Sequence, residues 1–287
     1  MSNADMISAF VNRQSFIELD ARERAQSLMD SGSWRELVGP FDRIESPWLP
    51  AQGIAPQSDD GCVVLKGTVA GEAVVVIALE GGFQAGSMGE VSGAKMSTAL
   101  DLAAQDSQNG TKTAAILLLE TGGVRLQEAN LGLAVVAEVM ASMLALRRHA
   151  PIITVIAGTV GCFGGMSLAA GLSSYLVMTR EARLGLNGPE VIEQEAGIDE
   201  LDASDKHLIW SLMGGEQRYE TGFADALIED DARALRQTIQ ALAARGVPAR
   251  HRSEKVEEFR RSLARIDPAA PPDGPALRRI WPKGEMP

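Results

Sequence analysis

The sequence predicts an α/β layered fold, and three observations carry that prediction. Aliphatic runs such as "AAILLL" (114–119) and "PIITVIAG" (151–158) have strand length and are apolar enough to be covered on both faces. Stretches with helical spacing alternate with these runs from about residue 92 onward, the order expected of strand–helix layers. Apolar residues make up 45% of the 287 residues, enough for a sizeable core, so wholesale disorder is excluded.

Taken in order, residues 20–38 open on Asp20, a helix N-cap type, and keep roughly helical apolar spacing. Residues 39–61 contain four prolines and read as extended loop. "CVVLKGTVAGEAVVVIALE" (62–80) reads as two strands joined around Ala70-Gly71. A Gly-rich segment then leads into a helix near 92–106. The expected series continues with a strand at 113–120, a helix at 127–147, a strand at 151–158 and a short helix at 164–172. "YLVMT" (175–179) and "ARLGLN" (182–187) read as two further strands. A helix over 232–244 puts Leu235, Ile239 and Leu242 on one face. Beyond about 246 the chain turns Pro-rich and basic, with nine Lys/Arg against six Asp/Glu. The expected organisation is one domain over 1–245 and an extended arm over 246–287.

The formal charge of -11 argues against a nucleic-acid binder, because phosphate affinity needs clustered Lys and Arg. Cys62 and Cys162 are far apart and neither has a CxxC partner, which argues against a zinc knuckle, a redox dithiol or a disulfide framework. The first residues, "MSNADMISAFVNRQSF", lack the basic-then-apolar pattern of a secretory leader. The longest apolar stretch (131–146) is interrupted by Glu138 and is too short to span a bilayer, so a cytoplasmic protein without membrane association is expected.

Three glycine clusters remain: "GGFQAGSMGEVSGAK" (81–95), "TGGVR" (121–125) and "GTVGCFGGMS" (158–167). Their spacing fits neither the GxGxxG dinucleotide fingerprint nor a Walker loop. Two of them end an aliphatic strand and open a helix, where unpaired N–H groups and a positive dipole end are available. Two such turns side by side aim two donors at one oxygen, an oxyanion hole; tight strand–helix packing explains the glycines equally well. Covalent nucleophiles are weakly represented. Ser167 is not in GxSxG, and Cys162 sits among small residues as packing cysteines do. His149, His207 and His251 have no partners at metal-ligand spacing, so no metal site is expected.

"GSMGEVSGAKM", "ETGGVRLQEAN", "GTVGCFGGMS" and "GLNGPEVIEQ" together resemble the carboxyltransferase β-type domain of biotin-dependent acyl-CoA carboxylases, in order and in spacing, over nearly all of 20–245. "ARERAQSLMDSGSWREL" resembles that family's opening helix. Within the family, "ESPWLPAQGI", "GLNGPEVIEQEAGI" and "GGEQRYETG" look like the β subunits of bacterial malonate decarboxylases. The acetyl-CoA carboxylase β subunit differs in carrying a four-Cys zinc ribbon and a "GGAR" segment, which reads Gly122-Gly123-Val124-Arg125 here.

The resemblance implies a crotonase-like (ClpP/crotonase) fold of stacked ββα units, a carboxyltransferase N-terminal-type domain. It implies an oxyanion hole of backbone N–H groups at Gly122, Gly123, Gly164 and Gly165, with Thr121, Arg125, Gln127, Cys162, Phe163, Gly188 and Pro189 around the substrate. For Arg125 a helix-start ion network is an equal alternative. The implied partners are a γ subunit completing the active site, an acyl carrier protein subunit and an α-type transferase subunit. This chain itself would hold no cofactor; the malonyl group would ride on a phosphopantetheine-type (dephospho-CoA-derived) prosthetic group of the carrier. The implied reaction is decarboxylation of the malonyl thioester. Transfer of its carboxyl group to a biotin carrier, or an acetyl-CoA carboxylase-like role, is the alternative.

Overall fold

The structure, a computed structural model, describes residues 13–281. The expectation about a leader falls largely on 1–12 and lies outside the described residues. Helix α1 (Ala21–Leu28) starts where expected: the Asp20 carboxylate accepts from Glu23 N–H and the Glu23 side chain from Asp20 N–H, a reciprocal cap. It ends well before 38. Asp30 turns its carboxylate onto a hairpin instead, and Arg35–Glu36 forms the edge strand β1.

The other strands are β2 (Cys62–Val69), β3 (Glu72–Leu79), β4 (Ala114–Leu118), β5 (Ile152–Ile156), β6 (Tyr175–Thr179) and β7 (Ala226–Ile228). All seven lie in one sheet in sequence order. β1, β2 and β3 pair antiparallel, and from β3 onward each neighbour is parallel. The β2–β3 hairpin has the two-residue loop expected, with Ala70 and Gly71 both left-handed at φ 53 and 80. Parallel neighbours need crossovers, supplied by α2 (Glu90–Gln108), α3 (Leu131–Leu146) and α4 (Gly165–Leu172). Then follow α5 (Pro189–Ala196), α6 (Lys206–Met213), α7 (Gly215–Glu220) and α8 (Ala232–Arg245).

Both sheet faces are covered, which is why the strands are continuous aliphatic runs. Val75, Ile77 and Leu117 pack against Met96 and Leu100 of α2 and Val139 and Met143 of α3. Their strand neighbours Val74, Val76 and Ile116 point the other way, onto Ala25 and Leu28 of α1 and Leu235 and Ile239 of α8.

Three further expectations change. Residues 182–187 form no strand; they make isolated bridges, Leu184 with Cys162 and Arg183 with Gly214. The helix expected from 127 begins at 131, after a single tight turn over Leu126–Glu128. The C-terminal segment is not an extended arm throughout. It contains α9 (Val256–Leu263) and α10 (Gly274–Ile280), because three aromatic rings give it something to bury. Phe223 and Phe259 stack and Trp281 tilts against both, with centroids 5.2–5.7 Å apart, and Gln217 Nε2 donates to Gly274 O.

A second, shorter row of pairings runs beside the sheet: Met88 with Val124, Thr121 with Cys162, and Cys162 with Leu184. Each links the segment just past one strand to the segment past the next, so main-strand end, short extension and helix recur along the chain. That repeat is the ββα unit.

The hairpin clasp predicts a pH effect. Asp30 accepts from Gly71 N–H, the Thr68 hydroxyl and Ala70 N–H, and Arg236 lies 2.6 Å away; these hold its pKa at about 2. The folded value is below the unfolded one of about 3.9, so this stabilisation is complete above about pH 4 and is lost as pH falls toward 2. Asp30→Asn is therefore expected to flatten the fall of Tm between about pH 4 and 2; an unchanged slope would contradict the assignment.

Candidate active site

The two strand-ending glycine turns are brought together. Thr121 N–H donates to Gly161 O at 2.8 Å, and Phe163 N–H to Thr121 O at 3.0 Å, so the segments after β4 and β5 run as a short parallel pair. Their tips touch. A Cβ on Gly164 would lie 3.0 Å from Gly123 Cα, and both glycines are left-handed, at φ 61 and 120. Any side chain at either position would strain the backbone, and one at Gly164 would also press on Gly123.

The destinations of the backbone donors revise the expected set. Gly122 N–H is bound to Ala85 O at 2.8 Å, Gly123 N–H to Thr121 Oγ1 at 3.1 Å, and Gly164 N–H to Leu186 O at 2.8 Å. Three of the four expected donors thus shape the turns. Gly165 N–H, at the first position of α4, has no protein hydrogen-bond partner among the described residues, and neither has Val124 N–H. The bridge with Met88 explains the latter: Gly123 O and Arg125 N–H are paired with Met88, leaving the Val124 N–H on the opposite side. Sequence reasoning missed Val124 because nothing in a valine signals which way its amide points.

Arg125 is held in a buried ion network. Its side chain is 1% exposed, with Nη1 2.7 Å from Asp60 Oδ1 and 2.9 Å from Glu128 Oε1, and Nη2 donating to Ser87 O. The guanidinium also lies over the Phe83 ring at 5.2 Å. Burial disfavours the Glu128 carboxylate, but donors from the Ser46 hydroxyl, Glu90 N–H and Arg125 outweigh it and hold its pKa below the ordinary value. Arg125 thus sits in a buried ion network of the kind given as the alternative to a substrate contact.

The remaining expected residues divide similarly. Thr121 is fully buried and acts as the clamp between the turns. Cys162 is also fully buried, and desolvation pushes its thiol pKa up, the wrong direction for a nucleophile. Phe163 packs with Leu201, Ile209 and Met213, and the Arg183 guanidinium lies 5.6 Å from its ring centroid. Gln127 is exposed and its carbonyl accepts from Gln52 Nε2. Gly188 and Pro189 start α5, just past Leu186, which holds Gly164. No group of three or more His, Cys, Asp or Glu among the described residues is placed to hold a metal ion. None of the described helices is long and apolar enough to cross a membrane.

The elements around the turns carry bare apolar side chains. Leu126 is 80% exposed; Leu133 on α3, Leu168 on α4 and Leu186 are each more than half exposed.

Comparison with known proteins agrees with this architecture. A malonyl-S-ACP:biotin-protein carboxyltransferase (MADC) of Malonomonas rubra is 43% identical over 258 residues, covering 86% of this chain and 79% of that protein. A crystal structure of a Pseudomonas malonate decarboxylase hetero-tetramer in complex with malonate contains a chain 56% identical to this one. That match covers 96% of this chain and 100% of the other, with a TM-score of 0.93. A Pseudomonas malonate decarboxylase MdcD-MdcE hetero-dimer contains a chain 52% identical, covering 89% and 98%, with a TM-score of 0.75. The carboxyl transferase domain family matches residues 18–283, nearly the whole described fold, and the chain belongs to that family.

Proposed function

We propose that this chain is the malonyl-thioester-binding subunit of a malonate decarboxylase, acting with a second, related subunit on malonyl carried by an acyl carrier protein. The observation that carries the reading is the pair of unpartnered N–H groups at Val124 and Gly165, on two turns locked together at their glycines. In the reaction the bond between the α-carbon and the carboxylate carbon breaks. CO₂ leaves, and the electron pair passes into an enolate whose charge rests on the thioester oxygen. Two fixed donors at that oxygen stabilise the enolate-like transition state more than the neutral carbonyl. A proton then adds to the α-carbon and yields the acetyl thioester.

No covalent nucleophile is needed, in keeping with the buried, high-pKa Cys162. Malonate decarboxylase assemblies of 52–56% identity to this chain, and the bare leucines around the turns, support a partner that closes the site. The carrier's phosphopantetheine-type group, the γ-type partner, an α-type transferase and a cytoplasmic setting belong to the same proposal.

The carboxyltransferase from Malonomonas rubra favours a second reading, in which the carboxyl group passes to biotin rather than leaving as CO₂. CO₂ release from malonyl-CoA by this chain co-expressed with its partner, with and without avidin, separates them. Avidin-insensitive release is expected. Release abolished by avidin would establish transfer to biotin, and sustained release by the single chain would overturn the need for a partner.

A further inference from the structure

The acid two residues past β4, Glu120, is not explained by binding or by the donor pair, yet it is 7% exposed and stands directly before the first turn. Its Oε2 forms a short ion pair with Arg24 of α1, and its Oε1 accepts from Val160 N–H at 3.2 Å. Val160 belongs to the second turn. Three hydrogen bonds therefore tie the two turns together in succession: Val160 N–H to Glu120, Thr121 N–H to Gly161 O, and Phe163 N–H to Thr121 O. Thr121 supplies two of these from its backbone, independently of its side chain. Glu120 supplies the third, at the root of the second turn, and is the one side chain among the three.

The surroundings leave the carboxylate little freedom. A methyl group at Gly81 or Gly158 would overlap the Glu120 side chain, and one at Gly86 would overlap its carbonyl oxygen. Arg24 is held in turn by Phe16 O and Ile17 O and lies over the Phe16 ring at 5.7 Å. We infer that Glu120 is a positioning residue, clamped by Arg24, whose contact with Val160 N–H sets where the second turn holds the Gly165 donor relative to Val124. The inference rests on the proposed donor pair. Because donors stabilise a transition state only at hydrogen-bonding distance, a shift of about 1 Å is enough to cost about 10²-fold in rate.

Two variants of the assembled complex separate positioning from a purely structural ion pair. Glu120→Asp keeps the charge for Arg24 but withdraws the carboxylate by one methylene from Val160. The double variant Arg24→Met, Glu120→Gln discards both charges while keeping side-chain length and an acceptor oxygen. Positioning predicts that Glu120→Asp lowers kcat for malonyl-CoA decarboxylation by about 10–10²-fold with KM within about threefold. It predicts that the double variant keeps kcat within about threefold, whatever its Tm. Hydrogen–deuterium exchange over 158–165 should rise in Glu120→Asp and not in the double variant. Wild-type kcat in folded Glu120→Asp, or a loss confined to KM, would overturn the inference. A wild-type complex that releases no CO₂ would instead remove the functional reading on which it rests.

Discussion

Gly165→Pro, made in a Val136→Ala background, is expected to lower kcat by about 10²–10³-fold in a complex that still folds and assembles. Gly165 is the first residue of α4, the helical position that proline fits best, and its N–H has no partner for the proline to break. A Cβ there would lie 2.7 Å from Val136 Cγ1, so the second substitution makes room, and Val136→Ala alone is the control. The loss should fall on kcat with little change in KM, because the donor is stronger toward the enolate than toward the ground-state carbonyl. Turnover equal to the control would remove Gly165 from the donor pair. Proline at Gly122 is a different experiment: its N–H holds Ala85 O, so that change disturbs the shape of the turn rather than a free donor.

Arg125→Met should cost about 3–5 kcal/mol of stability, read from the denaturant midpoint. It strands two carboxylates, Asp60 and Glu128, whose side chains are 0% exposed. Neutralising them as well, with Asp60→Asn and Glu128→Gln, should recover part of the loss, because the penalty lies in unpaired buried charge. The folded pKa of Glu128 is lowered, so its share of stability is present above about pH 4.3 and disappears as pH falls below it. A stable Arg125→Met protein with only a raised KM would return Arg125 to the substrate.

Much of this protein is legible before any coordinates. The β2–β3 hairpin follows from Ala70-Gly71, α8 from the spacing of Leu235, Ile239 and Leu242, and the buried strands from their unbroken aliphatics. The strand-ending glycines at 122–123 and 164–165 mark both turns of the candidate site. Local patterns suffice there because backbone period and turn chemistry are properties of a few consecutive residues. Periodicity and composition misled where a distant partner intervened. Asp30 left the helical pattern of 20–38 for the hairpin, and the C-terminal segment found Phe223 to pack on.

The sequence by itself determined the α/β layering, the order of the elements and the two places where glycine lets backbone approach backbone. Only the tertiary structure decided which amides are left free at those places. A hydrogen-bond donor is spent or spare according to acceptors far away in the chain: Ala85 for Gly122, Leu186 for Gly164 and Met88 beside Val124. The same holds for Arg125, whose charge is claimed by Asp60, 65 residues earlier. Pairings of that range follow from how strands and helices stack, and no window of neighbouring residues contains them.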